Sequence, residues 1–361
     1  MPMSSGSRTA VSCRLCAPAL SAVLASGAVH AAPGYQIYVT NEKSDNISVI
    51  DGATNTVLGT IPIGKRPRGI HVSPDGRTVY VAVSGTPAAG PPAVDAQGKP
   101  VVNKAREEAA PADKSADGIS VLDVSSAKVS GRIAAGSDPE EFALSRDGSR
   151  IYISNEDTKS ATVINIAARK IEHVIPVGAE PEGVTTTPDG RLFYVTCEAG
   201  GDVFVVDTRT YQTAARFKVE GRPRSIDFTA NGRIGIVPSE SVGQVNIVDT
   251  ARYTIIKTLT LPAGSRPMRA LVAPDGGKIY VSNGRGGTIS VLDGRTYDVV
   301  GSIQAGTRPW GIAISPDGKY LYSANGPSDD VSVIDLATDK EITRVKAGSS
   351  PWGLVLVPKG G

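Results

Sequence analysis

The chain has 361 residues, with 38 Lys and Arg against 36 Asp and Glu, only 5% aromatic residues, 40 Gly and 25 Pro. So even a charge balance excludes a general nucleic-acid binder, which needs a basic excess. Three cysteines are too few for a disulfide-held scaffold at this length, and the Gly and Pro content points to many turns.

Residues 1–31 contain Arg8 and Arg14, no acidic residue, the apolar run LCAPALSAVLASGAV and small residues up to Ala31. A basic start, a short apolar stretch and small residues at a cut site describe a secretory signal peptide, and the run is too short to span a bilayer. The expected mature chain, 32–361, is periplasmic or secreted, with no membrane span after cleavage. It keeps 36 basic and 36 acidic residues and a single thiol, Cys197, so its stability must come from packing.

Beyond the leader the sequence repeats. Pro67, Pro139, Pro181, Pro223, Pro267, Pro309 and Pro351 are spaced by 72, 42, 42, 44, 42 and 42 residues. The turns Asp75-Gly76, Asp147-Gly148, Asp189-Gly190, Asn231-Gly232, Asp275-Gly276 and Asp317-Gly318, with Lys359-Gly360, keep the same intervals. Each unit reads as four short segments rich in Val, Ile and Tyr between Gly, Pro, Asp and Asn, as in PWGIAIS, KYLYSAN, DVSVID and KEITRVKAG. This is the pattern of antiparallel strands joined by tight turns.

Four strands per unit and seven units predict an all-β fold, a seven-bladed β-propeller of four-stranded antiparallel blades, as a single domain over 32–361. The first unit, GYQIYVTN onward, lacks an innermost strand, and the chain ends on PWGLVLVPKGG, an innermost strand without its neighbours. Unpaired edges are costly, so the C-terminal strand is expected to pair with the N-terminal strand and close the ring. Residues 85–116 of blade two form an insertion rich in Ala, Pro, Lys and Glu that is expected to be mobile, either a lid or docking arm or a plain surface excursion.

The segments YVTN at Tyr38 to Asn41, YISN, YVTC, YVSN and YSAN, followed by SVID, SVLD or FVVD, resemble the YVTN-type β-propeller repeat. DPEEFALSRDG, YISNEDT, VGAEPEGV and VEGRPRSIDFTANG in units three to five look more narrowly like the periplasmic propellers associated with pyrroloquinoline-quinone-dependent alcohol catabolism. That resemblance implies service to a quinoprotein alcohol-oxidation system.

A residue shared by most units belongs to blade geometry. Asp51, Asp123, Asn165, Asp207, Asp249, Asp293 and Asp335 all end the third strand, where a short polar side chain fixes a turn. The positions flanking the repeated proline vary instead. After it stand Arg68, Glu140, Glu182, Arg224, Met268, Trp310 and Trp352; before it stand Arg66, Asp138, Glu180, Arg222, Arg266, Arg308 and Ser350. These loops open on one mouth of the channel, with acids including Glu140, Glu141, Glu182 and Glu198 gathered in blades three to five. The opposite side carries Arg66, Arg68, Arg266, Arg269, Arg285, Arg308, Trp310 and Trp352.

Indole stacking beside guanidinium groups suits a planar anion; the alternative is that the tryptophans pack over the channel and the charges form a solvated rim. His71 and Asp227 share one repeat position across the axis, as a candidate channel pair or as satisfied core residues. His71 and His173 have no Cys or His at ligand spacing, so no metal or cofactor is expected, and Cys197 replaces the Asn of YVTN in unit four. The leading expectation is a non-catalytic accessory propeller, monomeric, that binds a small anionic ligand or a periplasmic protein. Alternatives are a lactonase-like hydrolase using Glu140, Glu182 and Glu198, and a haem-binding propeller with an axial His.

Overall fold

The computed structural model describes residues 34–87 and 111–359; the expected signal peptide and most of the 85–116 insertion lie outside them. The described residues form seven four-stranded antiparallel sheets. Blade one orders its strands Pro351–Pro358, Tyr35–Asn41, Asn46–Asp51 and Thr56–Pro62 from the axis outward. The ring therefore closes as expected, with Ile37 opposite Leu356 and Val39 opposite Leu354. Tyr35 and Tyr322 share a 2.6 Å hydroxyl contact across the seam between blades one and seven.

Each blade is apolar on both faces because a neighbour covers each face. The core is accordingly not one cluster but seven, one per blade interface. Tyr35, Ile37 and Val39 pack on Tyr322, Ala324 and Val331, and Val203, Val205 and Val219 pack on Phe228, Val237 and Val248. Outer strands such as Thr56–Pro62 are largely exposed. Cys197 is buried in the cluster between blades three and four, where burial pushes its thiol up to about 12. It is packing material there, not a nucleophile.

The repeated turns follow local chemistry. Asp51 Oδ1 accepts from the amides of Ala53 and Thr54 at 2.8 and 3.0 Å, and the chain reverses through Asn55 in the left-handed region. Asp123, Asn165, Asp207, Asp249, Asp293 and Asp335 accept from the backbone in the same way.

Blade five departs from the expected regularity, since its innermost strand is only Asp227–Phe228. In blade two the amide of Ala82 donates to Gly69 O at 2.9 Å. The equivalent residue in blade five is Pro238, which has no N–H to give, and only Arg224 N to Pro238 O remains, at 3.1 Å. The carbonyl of Ser225, equivalent to that of Gly69, thereby loses its ladder bond beside the channel.

Candidate functional site in the central channel

Two residues after the repeated proline, four of the seven blades carry glycine. A Cβ at Gly69 would stand 2.8 Å from Glu140 O, at Gly183 2.6 Å from Arg224 O, and at Gly311 2.7 Å from Trp352 O. Adjacent innermost strands approach so closely here that the fold asks for glycine. Glu141, Ser225 and Arg269 break the rule, and two of them are large and charged.

Glu141, on the innermost strand Pro139–Leu144, is buried. Its Oε1 lies 2.9 Å from His71 Nε2, on the strand Ile70–Val72, and accepts from the Phe142 amide at 3.0 Å. Its Oε2 is paired with Arg269, on Pro267–Val272 of blade six, three blades away. This bridge crosses the axis. Burial works to raise the Glu141 pKa, but the Arg269 charge, His71 and the Phe142 amide hold it down at about 2. The His71 ring meets Phe142 edge-on at 4.6 Å.

A cavity of about 400 Å³ runs beside the bridge, lined by His71, Glu141, Thr185, Asp227, Arg269 and Trp310 among others. Asp227 does not pair with His71. Its Oδ2 accepts from the Val272 amide at 2.8 Å, and burial raises its pKa.

At the mouth, Trp310 and Trp352 lie 5.4 Å apart between ring centroids, tilted by 33°. The guanidinium carbons of Arg308 and Arg224 sit 4.6 and 4.8 Å from the Trp310 ring centroid. Burial, then the neighbouring Arg224 charge, pushes Arg308 down to about 10. Among the described residues, no carboxylate lies within ion-pair distance of Arg308. The residue before the repeated proline is left-handed in every blade where it is described, from φ 46° at Arg66 to 61° at Arg222, yet none is Gly or Asn. Charged side chains are thus held where the backbone alone would favour glycine.

The expected division of the mouth into acidic and basic halves gives way to interleaved pairs. Arg66 reaches Asp138 at 2.9 Å and Glu42 at 3.1 Å, and Arg68 pairs with Glu140 and, at 2.9 Å, with Glu42. Arg224 binds Glu182 at 3.0 Å and also Glu198, which Arg222 shares. Glu140, Glu182 and Glu198 are thus occupied by guanidinium groups. Arg266 donates to Ser241 O at 2.6 Å, and Arg285 is exposed in the loop after Lys278–Asn283. Sequence reasoning left Glu141 out of its candidates for ligand or partner binding; the signal was the interrupted glycine position.

Carboxylate oxygens of Asp138, Glu140 and Glu156 lie within 4.8 Å of one another, but Arg66 and Arg68 already neutralise two of them, and the group carries no metal assignment. His173 packs on Tyr211 at 4.4 Å, on the outer strand Lys170–Pro176.

Comparison with known proteins now bears on this geometry. The family model of YNCE-like beta-propellers matches residues 87–191 and 190–359. A 42-residue stretch, the length of one repeat, is 57% identical to PE-PGRS family protein PE_PGRS18 of Mycobacterium tuberculosis; it covers 12% of this chain and only 9% of that protein. Among solved structures, the Pseudomonas aeruginosa periplasmic gluconolactonase PpgL superposes with a TM-score of 0.68 at 21% identity, over 90% of this chain and 99% of that one. Kuenenia stuttgartiensis hydrazine synthase superposes with a TM-score of 0.67 at 21% identity, over 81% of this chain and 90% of that one.

At these identities the likeness is one of fold. It nonetheless corrects the expectation of a non-catalytic protein, because the same ring of blades is the body of a gluconolactonase. Among the described residues, no helix is long and apolar enough to cross a membrane. The extent of the family match leaves one conclusion about descent: the chain belongs to the YNCE-like β-propeller family.

Proposed function

We propose that the channel is the active site of a lactone hydrolase working in the periplasm. The observation that supports this best is the His71–Glu141–Arg269 bridge, which sets an oriented imidazole and a guanidinium on the lining of a cavity of about 400 Å³. With Nε2–H donated to Glu141, the imidazole Nδ1 carries the lone pair. His71 takes a proton from water as its oxygen attacks the lactone carbonyl carbon. The remaining N–H groups of Arg269 stabilise the tetrahedral oxyanion. The ring C–O bond then breaks, the leaving alkoxide takes the proton back from His71, and a hydroxy acid is formed.

Arg308 and Trp310 at the mouth suit the planar carboxylate of that product. Oxidation of cyclic hemiacetals yields lactones, so such a hydrolase fits beside the quinoprotein systems that the sequence resembles. A haem-binding role would need His71 as an axial ligand, whereas its Nε2 is engaged by Glu141, which favours the hydrolytic role.

The test is a pH-stat assay of the purified protein across sugar lactones and γ-butyrolactones. Turnover that falls about 10²- to 10⁴-fold in His71→Gln supports the proposal. Rates indistinguishable from spontaneous hydrolysis across the panel overturn it.

A further inference from the structure

The cross-channel bridge divides the bore. On the side of blades three to six the cavity mixes apolar residues with Glu182, Thr185, Thr186, Arg224, Ser225 and Asp227 on its wall. On the side of blades six, seven, one and two lies a second cavity of about 370 Å³, lined by His71, Glu141 and Arg269 and otherwise by Gly, Pro and aliphatic residues alone. Leu271, Ala313, Ile314, Val355 and Leu356 are each only partly buried, so apolar surface is left facing this space. The sequence places Leu271, Ala313 and Val355 at the repeat position that holds His71, Thr185 and Asp227 in blades two, four and five. With Ala143 at that position in blade three, the tier is continuously aliphatic over blades six, seven and one, while its polar residues all lie in the other blades.

We propose that this second cavity holds an unbranched aliphatic chain carried by the substrate, with its polar ring at the bridge. The inference deepens the lactone-hydrolase reading and rests on it for the identity of the polar head. Three features favour this occupant. The chamber shares its three charged residues with the proposed reaction site, so a tail there and a ring at His71 belong to one molecule. Apart from those three, its walls offer no hydrogen-bonding side chain, so the hydroxyls of a sugar ring would find few partners there to replace their water. Its volume lies in the range of small-molecule pockets.

The experiment uses γ-butyrolactones with 4-alkyl chains of increasing length, assayed for kcat/KM, and the corresponding 4-hydroxyalkanoates, titrated by calorimetry. Each added methylene should raise kcat/KM and product affinity about fourfold until the chamber is filled, the ratio equivalent to about 0.8 kcal/mol per buried methylene. Ala313→Leu and the bulkier Ala313→Phe should flatten that dependence, the first serving if the second fails to fold. Affinity that rises with chain length while no lactone is turned over would keep the chamber and remove the hydrolase. Turnover or affinity indifferent to chain length would remove the chamber, whatever the activity.

Discussion

His71 and Glu141 stand on neighbouring innermost strands with imidazole Nε2 and carboxylate Oε1 2.9 Å apart, and Arg269 closes on the same carboxylate from across the axis. Glu141 orients the imidazole through its first oxygen and holds the guanidinium through its second. Glu141→Gln keeps the volume and removes the charge. On a lactone that the protein hydrolyses, kcat should fall about 10²-fold with KM nearly unchanged, the split expected when a group acts only in the transition state. An unchanged kcat would make the bridge a strut.

The same carboxylate should appear in acid stability. Its pKa lies near 2 when folded, below the 4.5 of an ordinary Glu, so the stability it contributes is present above about 4.5 and is lost as pH falls through about 2. The gap in unfolding free energy between wild type and Glu141→Gln should close across that window by on the order of 3 kcal/mol. Denaturant melts at pH 5, 4, 3 and 2 measure it, and a gap that does not change with pH refutes the assignment.

Asp138 works in the opposite sense. Burial raises it to about 6 despite Arg66 at 2.9 Å and the Ser84 hydroxyl at 2.6 Å. A raised folded pKa means that the favourable protonated state is fully expressed below about 3.8 and is lost as pH rises through 6. Relative to wild type, Asp138→Asn should gain stability between pH 4 and pH 7, by on the order of 3 kcal/mol. A parallel pair of Tm–pH curves would exclude it.

At the mouth, Arg308 supplies a guanidinium against Trp310 with no carboxylate partner among the described residues. Arg308→Ala should weaken binding of a hydroxy-acid product about tenfold, the size of a charge-assisted hydrogen bond, and should lessen its salt dependence. Trp310 fluorescence reports both. Equal affinity in the two proteins would return Arg308 to the solvated rim.

Ring closure can be probed at its seam. Tyr322→Phe removes the 2.6 Å contact with the Tyr35 hydroxyl inside a packed interface and should cost about 1 kcal/mol. The Tyr35→Phe, Tyr322→Phe double variant should lose less than the sum of the two single changes, because the contact is then already gone. Strict additivity would mean that the hydroxyls are not coupled.

Much of this molecule was legible in one dimension. The 42-residue period, the Asp-Gly turns and the Asp closing each third strand are set by contacts a few residues apart, so local spacing carries them. The truncated first and last units specified the closing sheet, since pairing them completes a four-stranded blade and covers the apolar strand edges that each would otherwise leave open. The variable positions around the repeated prolines singled out Trp310 and Trp352, whose rings the structure brings together, because the repeat supplies its own reference. Repeat symmetry also suggested His71 with Asp227, and that pairing is absent.

What only the tertiary structure decided is which charged groups meet. Arg269 and Glu141 are 128 residues apart, and their contact depends on the bore being no wider than two long side chains. Arg66, Arg68, Arg222 and Arg224 likewise chose partners by reach across blade boundaries, not by the order of their blades. Hydrogen bonds local to a turn are specified by sequence distance, whereas ion pairs across a channel are specified by a diameter, which exists only once seven blades have closed.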